Sequence, residues 1–293
     1  MPKHIPLFSF LVLLGLMSVQ APVSGQSLVP YTLQLDSEEL EQQGLNLAQE
    51  AVQLVRFQQY ELALPRAKLA TQLAPNSYQT WFILGSLYVQ NQDLDQGIKA
   101  LQEAHSLEPD QAGVLFTLGS ARFQKGNYQA AIKDLSKGLE LEPGVPEALF
   151  DLGNSYYMLE QFPQAIEAYD KAVAKEKNFW PAINNIGLVK YEQGDISSAI
   201  EKWQAAIAID DEAAEPQLAV AVALYAQGEQ EKGLKMGEAA IRLDPRYADL
   251  EFLKENLWGD RLLLATQRFL ATPRIQATLV QSQGALEVET SPQ

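Results

Sequence analysis

WFILGSLY (Trp81–Tyr88) returns as LFTLGSAR (Leu115–Arg122) and as LFDLGNSY (Leu149–Tyr156), each copy 34 residues after the last. Stepping the phrase along the chain puts glycine at Gly85, Gly119, Gly153 and Gly187, with Ala51 before them and Ala221 after. Four residues earlier a bulky column runs Leu47, Trp81, Leu115, Leu149 and Ile183, and Gln217 breaks it. Small residues recur at Ala63, Gly97, Ala131, Ala165, Ala199 and Gly233, and again at Ala70, Ala104, Gly138, Ala172, Ala206 and Ala240. Pro75, Pro109, Pro143 and Pro245 close four of the six units, while Lys177 and Asp211 stand in that place in the other two. The register needs no insertion from Gly44 to Tyr247, giving units 44–77, 78–111, 112–145, 146–179, 180–213 and 214–247.

Within each half-unit apolar residues recur three and four places apart, the spacing of an amphipathic helix. Gln92-Asp93, Gly126-Asn127 and Gly194-Asp195 separate the halves, and their Asp or Asn side chains are expected to cap the second helix. A proline ends that helix because it supplies no backbone donor. Glycine within a helix costs about 1 kcal/mol relative to alanine. Four in register therefore require an offset, and close approach of the paired helix, facing the small columns, is the expected one. One helix pair cannot bury its own apolar face, so repetition is what makes a core.

The joint pattern resembles the tetratricopeptide repeat, over about 70% of the chain if the period is followed throughout. The resemblance implies an all-α, right-handed solenoid of six helix-turn-helix units. It also implies that the first helix of each unit lines a concave groove that receives a peptide or a partner's surface. Carried onto that face, Phe82, Phe116 and Phe150 form one aromatic stripe, and Phe123, Tyr157, Tyr191 and Tyr225 form another, with Asn154, Asn184 and Asn185 among them. Such rings either grip apolar side chains or pack against neighbouring helices; both readings stand at this point. Family members that hold a C-terminal carboxylate use Lys, Arg and Asn. The matching places here are Phe150, Asn154, Asn185, Glu215 and Ala219, so the amides remain and the cations are gone. Glu147, Asp151, Glu192 and Glu215 instead make the later groove acidic, which suits an apolar partner segment carrying some Lys or Arg.

Beyond the repeat, Asp36 and Glu39 form a capping box before a helix expected to reach about Phe57. At the other end, Ala248–Trp258 reads as a first capping helix and Asp260 as the cap of a second, RLLLATQRFLAT, over 248–273 in all. Arg261 and Arg268 share one face of it and form a second candidate docking surface; residues 274–293 are expected to be a partly disordered tail, with disorder over Gln281–Gln293. The stretch NLWGDRLLLATQRFLATP is similar to the C-terminal segment of repeat proteins from photosynthetic lineages, some targeted to the thylakoid lumen.

Lys3, an uncharged run Ile5–Val19 and the small polar QAPVSGQS have the three-part layout of a secretory signal, with cleavage expected before Gln26. The alternative is an uncleaved membrane anchor over 5–19. The expected location is therefore the periplasm or thylakoid lumen. A formal charge of −15 without a basic cluster argues against nucleic acid and anionic membrane surfaces, leaving membrane contact only through the N-terminus or the C-terminal cap. There is no cysteine, and the histidines are His4 and His105, so no thiolate or histidine metal set can form. Without a phosphate loop or nucleophile motif, no catalytic residue, cofactor or small-molecule substrate is expected. The reading is a non-enzymatic scaffold acting in assembly or maintenance of membrane protein complexes. Its alternative is a permanent subunit of an envelope secretion or outer-membrane assembly machine.

Overall fold

The computed structural model describes residues 36–289, with side chains to residue 281. The expected signal or anchor, residues 1–25, and most of the 26–43 segment lie outside the described residues. Residues 37–289 form one compact unit. Among the described residues there are fifteen α-helices and one 3-10 turn. The first, α1 (Ser37–Arg56), is followed by helices that alternate strictly. The first helices of the next five units are α3 (Tyr78–Gln90), α5 (Ala112–Gln124), α7 (Pro146–Met158), α9 (Trp180–Glu192) and α11 (Ala214–Ala226). The second helices are α2 (Tyr60–Leu73), α4 (Leu94–Leu107), α6 (Tyr128–Leu141), α8 (Phe162–Lys175), α10 (Ile196–Ile209) and α12 (Gln230–Leu243). Each helix packs on its partner and on the next unit, so the pairs stack into a tetratricopeptide-type solenoid.

Close approach does offset the glycine column, but the residue that fills the gap is bulky rather than small. A methyl placed on Gly85 would lie 2.7 Å from Leu101 Cγ, on Gly119 2.6 Å from Leu135 Cγ, and on Gly153 2.5 Å from Tyr169 Cε1. Gly187 faces Trp203 in the same way. The missing side chain is thus a socket, and the knob comes from the second helix, four residues beyond the first small column. All four knobs are completely buried. Of the expected caps, Asp93 and Asp195 accept from the backbone N–H of Gln96 and Ser198, whereas Asn127 makes no side-chain capping bond. The closing proline is not what sets helix length: α8 and α10, which lack it, span fourteen residues like the helices that have it.

The C-terminal region departs most from the sequence reading. Ala248–Trp258 is not one helix but a 3-10 turn (Pro245–Ala248) and a short α13 (Leu250–Glu255). Next comes α14 (Asp260–Leu270), and the tail expected to be partly disordered carries a further helix, α15 (Pro273–Glu289), which runs into the 281–293 stretch assigned to disorder. Arg274 ties α15 to α12 through Glu238 and Glu231, each at 2.7 Å. No helix among the described residues is long and apolar enough to cross a membrane.

Candidate functional site: a groove half filled by its own chain

The first helices differ in how far burial runs round them. In α3 four of thirteen residues are buried, all on one side. In α9 nine are buried and in α11 ten, so those two helices have no free face of any width. The cause is α14, which does not shield the open end of the stack but folds back against α9 and α11. Glu192, at the end of α9, accepts hydrogen bonds from the backbone N–H of Arg261 (3.1 Å) and Leu262 (3.0 Å). The N-terminus of α14 is therefore capped by a residue about seventy positions away, and Asp260, the expected cap, makes no such bond. The favourable pairing of a carboxylate with the positive end of a helix helps fix where α14 lands. Phe269 then packs edge-on against Tyr225 (5.4 Å between centroids) and over Gly237.

This back-folding decides the fate of the sequence-selected residues. Tyr191 is 2% exposed, its ring 5.8 Å from that of Trp203. Asn184, Asn185, Asn154 and Glu215 are buried too, joined in one polar ladder instead of lining a wet surface. Asn154 Oδ1 accepts from Tyr169 (2.8 Å) and Asn185 (2.9 Å), Asn185 Oδ1 accepts from Asn184 (3.1 Å), and Glu215 accepts from the Trp258 indole (3.0 Å). Burial pushes the Glu215 carboxyl up to about 7, with the Trp258 and Asn184 bonds opposing the rise. These residues correct the expectation of ligand contacts: buried polar groups seek partners, and here they find one another, with Asn184 Oδ1 left without one.

The earlier units are different. Phe82, Phe116, Phe123 and Phe150 are half-buried. Phe116 rests on Gly138 of α6, Phe150 lies 5.8 Å from Tyr169 and 5.5 Å from Phe179, and Phe123 lies 5.4 Å from Tyr128. Each ring thus packs on one side and keeps another side accessible. Between them Asp151 is bonded to Ser120, and burial still pushes its carboxyl up to about 6. Glu147 is exposed. Tyr157, where the open run meets the cap, is buried. Arg261 and Arg268 are both exposed on α14, the Arg261 guanidinium lying over Gly194. Among the described residues no group of His, Asp and Glu is placed to hold a metal ion.

The family model described as the cytochrome c-type biogenesis protein H TPR domain matches residues 32–178, half of the chain, and a general TPR repeat model matches residues 187–228. The chain belongs to the tetratricopeptide repeat family. A search of the curated proteins finds no match. Among solved structures it is similar to MamA from Desulfovibrio magneticus RS-1 (19% identity, TM-score 0.55), over 59% of this chain and 96% of that one. It is also similar to PilF of Pseudomonas aeruginosa (16%, 0.61), over 75% and 98%. A third is YrrB, described as a TPR protein with an unusual peptide-binding site (19%, 0.51), over 69% and 97%. At these identities the likeness speaks for the fold. Members of this repeat family bind protein or peptide partners.

Proposed function

We propose that the chain is a non-enzymatic scaffold that binds a partner segment along the open part of its groove, over α3, α5 and α7. The observation that carries this reading is the chain's own behaviour: the same face, on α9 and α11, already receives an amphipathic helix. In the earlier units the rings of Phe82, Phe116, Phe123 and Phe150 keep accessible sides there, and among the described residues no segment covers them. With Glu147 exposed and Asp151 between the rings, a segment with apolar residues and some Lys or Arg is favoured over an acidic one.

The cap is anchored by apolar burial. Leu262, Phe269 and Leu270 are buried in it, and at about 1.5–3 kcal/mol each they hold it by about 5–9 kcal/mol. A micromolar partner supplies about 8 kcal/mol in total, so a segment that fills the open units without evicting α14 binds at less cost. The favoured setting is assembly or maintenance of membrane protein complexes on the periplasmic or luminal side. The layout of residues 1–25 and the cytochrome c-type biogenesis family of the matching model support it. The test is a pull-down from native extract with residues 26–293 beside a Phe116→Ala/Phe123→Ala variant of unchanged helicity. A partner lost by the variant is expected, and one retained moves the site elsewhere. Normal accumulation of such complexes in a deletion strain would remove the setting.

A further inference from the structure

Where the open groove meets the cap, the end of α7, the end of α9 and the α13–α14 loop enclose a cleft of about 400 Å³. Its walls are aromatic and aliphatic, with Tyr157 and Phe162 tilted 6.0 Å apart and Leu257 and Trp258 opposite. Its charge is one-sided. Glu160, Glu192 and Asp260 all line it, and Lys254 is the one cation in the lining. Arg261 lies nearby but sits over Gly194, and its pull on Glu192 does not prevent burial from raising that carboxyl above the ordinary range. Independently, the Tyr157 side chain is buried and its hydroxyl has no hydrogen-bond partner. That phenol lies close enough to Glu192 and Asp260 for both carboxylates, together with burial, to push its ionisation up. A buried hydroxyl without a partner costs about 1–3 kcal/mol, and a donor entering the cleft would relieve it.

The geometry points to a specificity pocket for a Lys or Arg side chain of the groove-bound segment: an apolar stem between Phe162 and Leu257, and a cationic head among Glu160, Glu192, Asp260 and the Tyr157 hydroxyl. Carboxylates exclude an anionic side chain here by repulsion. A purely apolar one leaves Tyr157 unpaired and gains nothing from the charge. Glu192 can accept a cation while it caps α14, because each carboxylate oxygen offers a second lone pair. The aromatic rings add attraction for a cation once water is excluded.

The pocket's biological use rests on the groove reading, but its chemistry is testable alone. The probe is N-acetyl-arginine amide, titrated into 15N-labelled protein and read at the Trp258 indole N–H, which is assigned with Trp258→Phe. A saturable shift is expected with the arginine probe and none with N-acetyl-norleucine amide, which has the stem without the charge. Glu160→Gln/Asp260→Asn is expected to weaken the arginine response roughly fivefold while the rest of the spectrum stays unchanged. No saturable shift, or an equal response to norleucine, overturns the assignment. Capture of a partner by Phe116 and Phe123 can persist or fail independently of either result, so the two readings fall separately.

Discussion

Adding a single methyl at Gly119 separates the socket explanation of the glycine column from simple helix propensity. Propensity alone makes Gly119→Ala stabilising by about 1 kcal/mol. The structure opposes this, because the new carbon would lie 2.6 Å from Leu135 Cγ and 2.9 Å from Cδ2, where carbons rest at about 3.5–4.0 Å. Leu135 is completely buried and cannot swing into solvent. Overpacking of this kind costs about 1–3 kcal/mol, so the net effect is a loss of about 0–2 kcal/mol. Leu135→Ala alone should cost about 2–5 kcal/mol. In the double variant the methyl enters the void the leucine left, so the pair should be less destabilised than the sum by about 1–3 kcal/mol. Gly113 is the control: it is helical, exposed and has nothing within 4 Å of a would-be side chain, so Gly113→Ala should gain a few tenths to about 1 kcal/mol. Urea unfolding followed by far-ultraviolet circular dichroism reads all four variants. Equal gains at Gly119 and Gly113, with zero coupling to Leu135, would refute the socket.

Two further outcomes follow from the covered half of the groove. Glu215 has a folded-state pKa of about 7, above its ordinary 4.5, so the native state keeps a proton that the unfolded chain releases. Stability from this group is present below about 4.5 and is lost as pH rises towards 7; Glu215→Gln should therefore be more stable than the parent at pH 8 and no more stable at pH 4. Asp151, raised to about 6, has the same sign, so the variant should keep a smaller fall in stability between roughly pH 4 and 6, measured as urea midpoints across pH. Phe269→Ala should cost about 3–5 kcal/mol and expose the Tyr225 ring, seen as faster hydrogen exchange in α11 and α14; an unchanged midpoint would mean that α14 is only loosely laid on the groove.

The period, the helix pairs and the close approach at the glycine column were legible because each is written in columns that repeat, although the bulky knobs that fill the four sockets were not. What repetition does not encode is the one event that happens once. The return of α14 onto α9 and α11 depends on Glu192, Trp258 and Phe269, none of which belongs to a column of its own. A signal was nonetheless present. The stretch LAVAVALYA in α11 is apolar on every side, and a helix apolar all round has no face left for water. Gln217, which breaks the bulky column, lies in that same helix and bonds the Asp211 carbonyl at 2.7 Å. The asparagines misled for a physical reason: an amide with a donor and an acceptor suits a ligand backbone and a buried ladder equally well, and only the covering helix distinguishes the two. The α15 helix was hidden by a composition poor in large apolar residues; Ile275 and Thr278 are the buried residues that anchor it, helped by Arg274 on Glu238.

Among the described residues the groove is open over α3 and α5 and closed over α11. Photo-crosslinking tests it directly: benzoylphenylalanine is placed singly at Phe82, Phe116, Phe123 and Tyr225, and each protein is irradiated in its native extract. The first three positions are expected to trap a common partner, and position 225 to yield only intrachain products with α14. Adducts to a partner at position 225, with none at 82, 116 and 123, would contradict it.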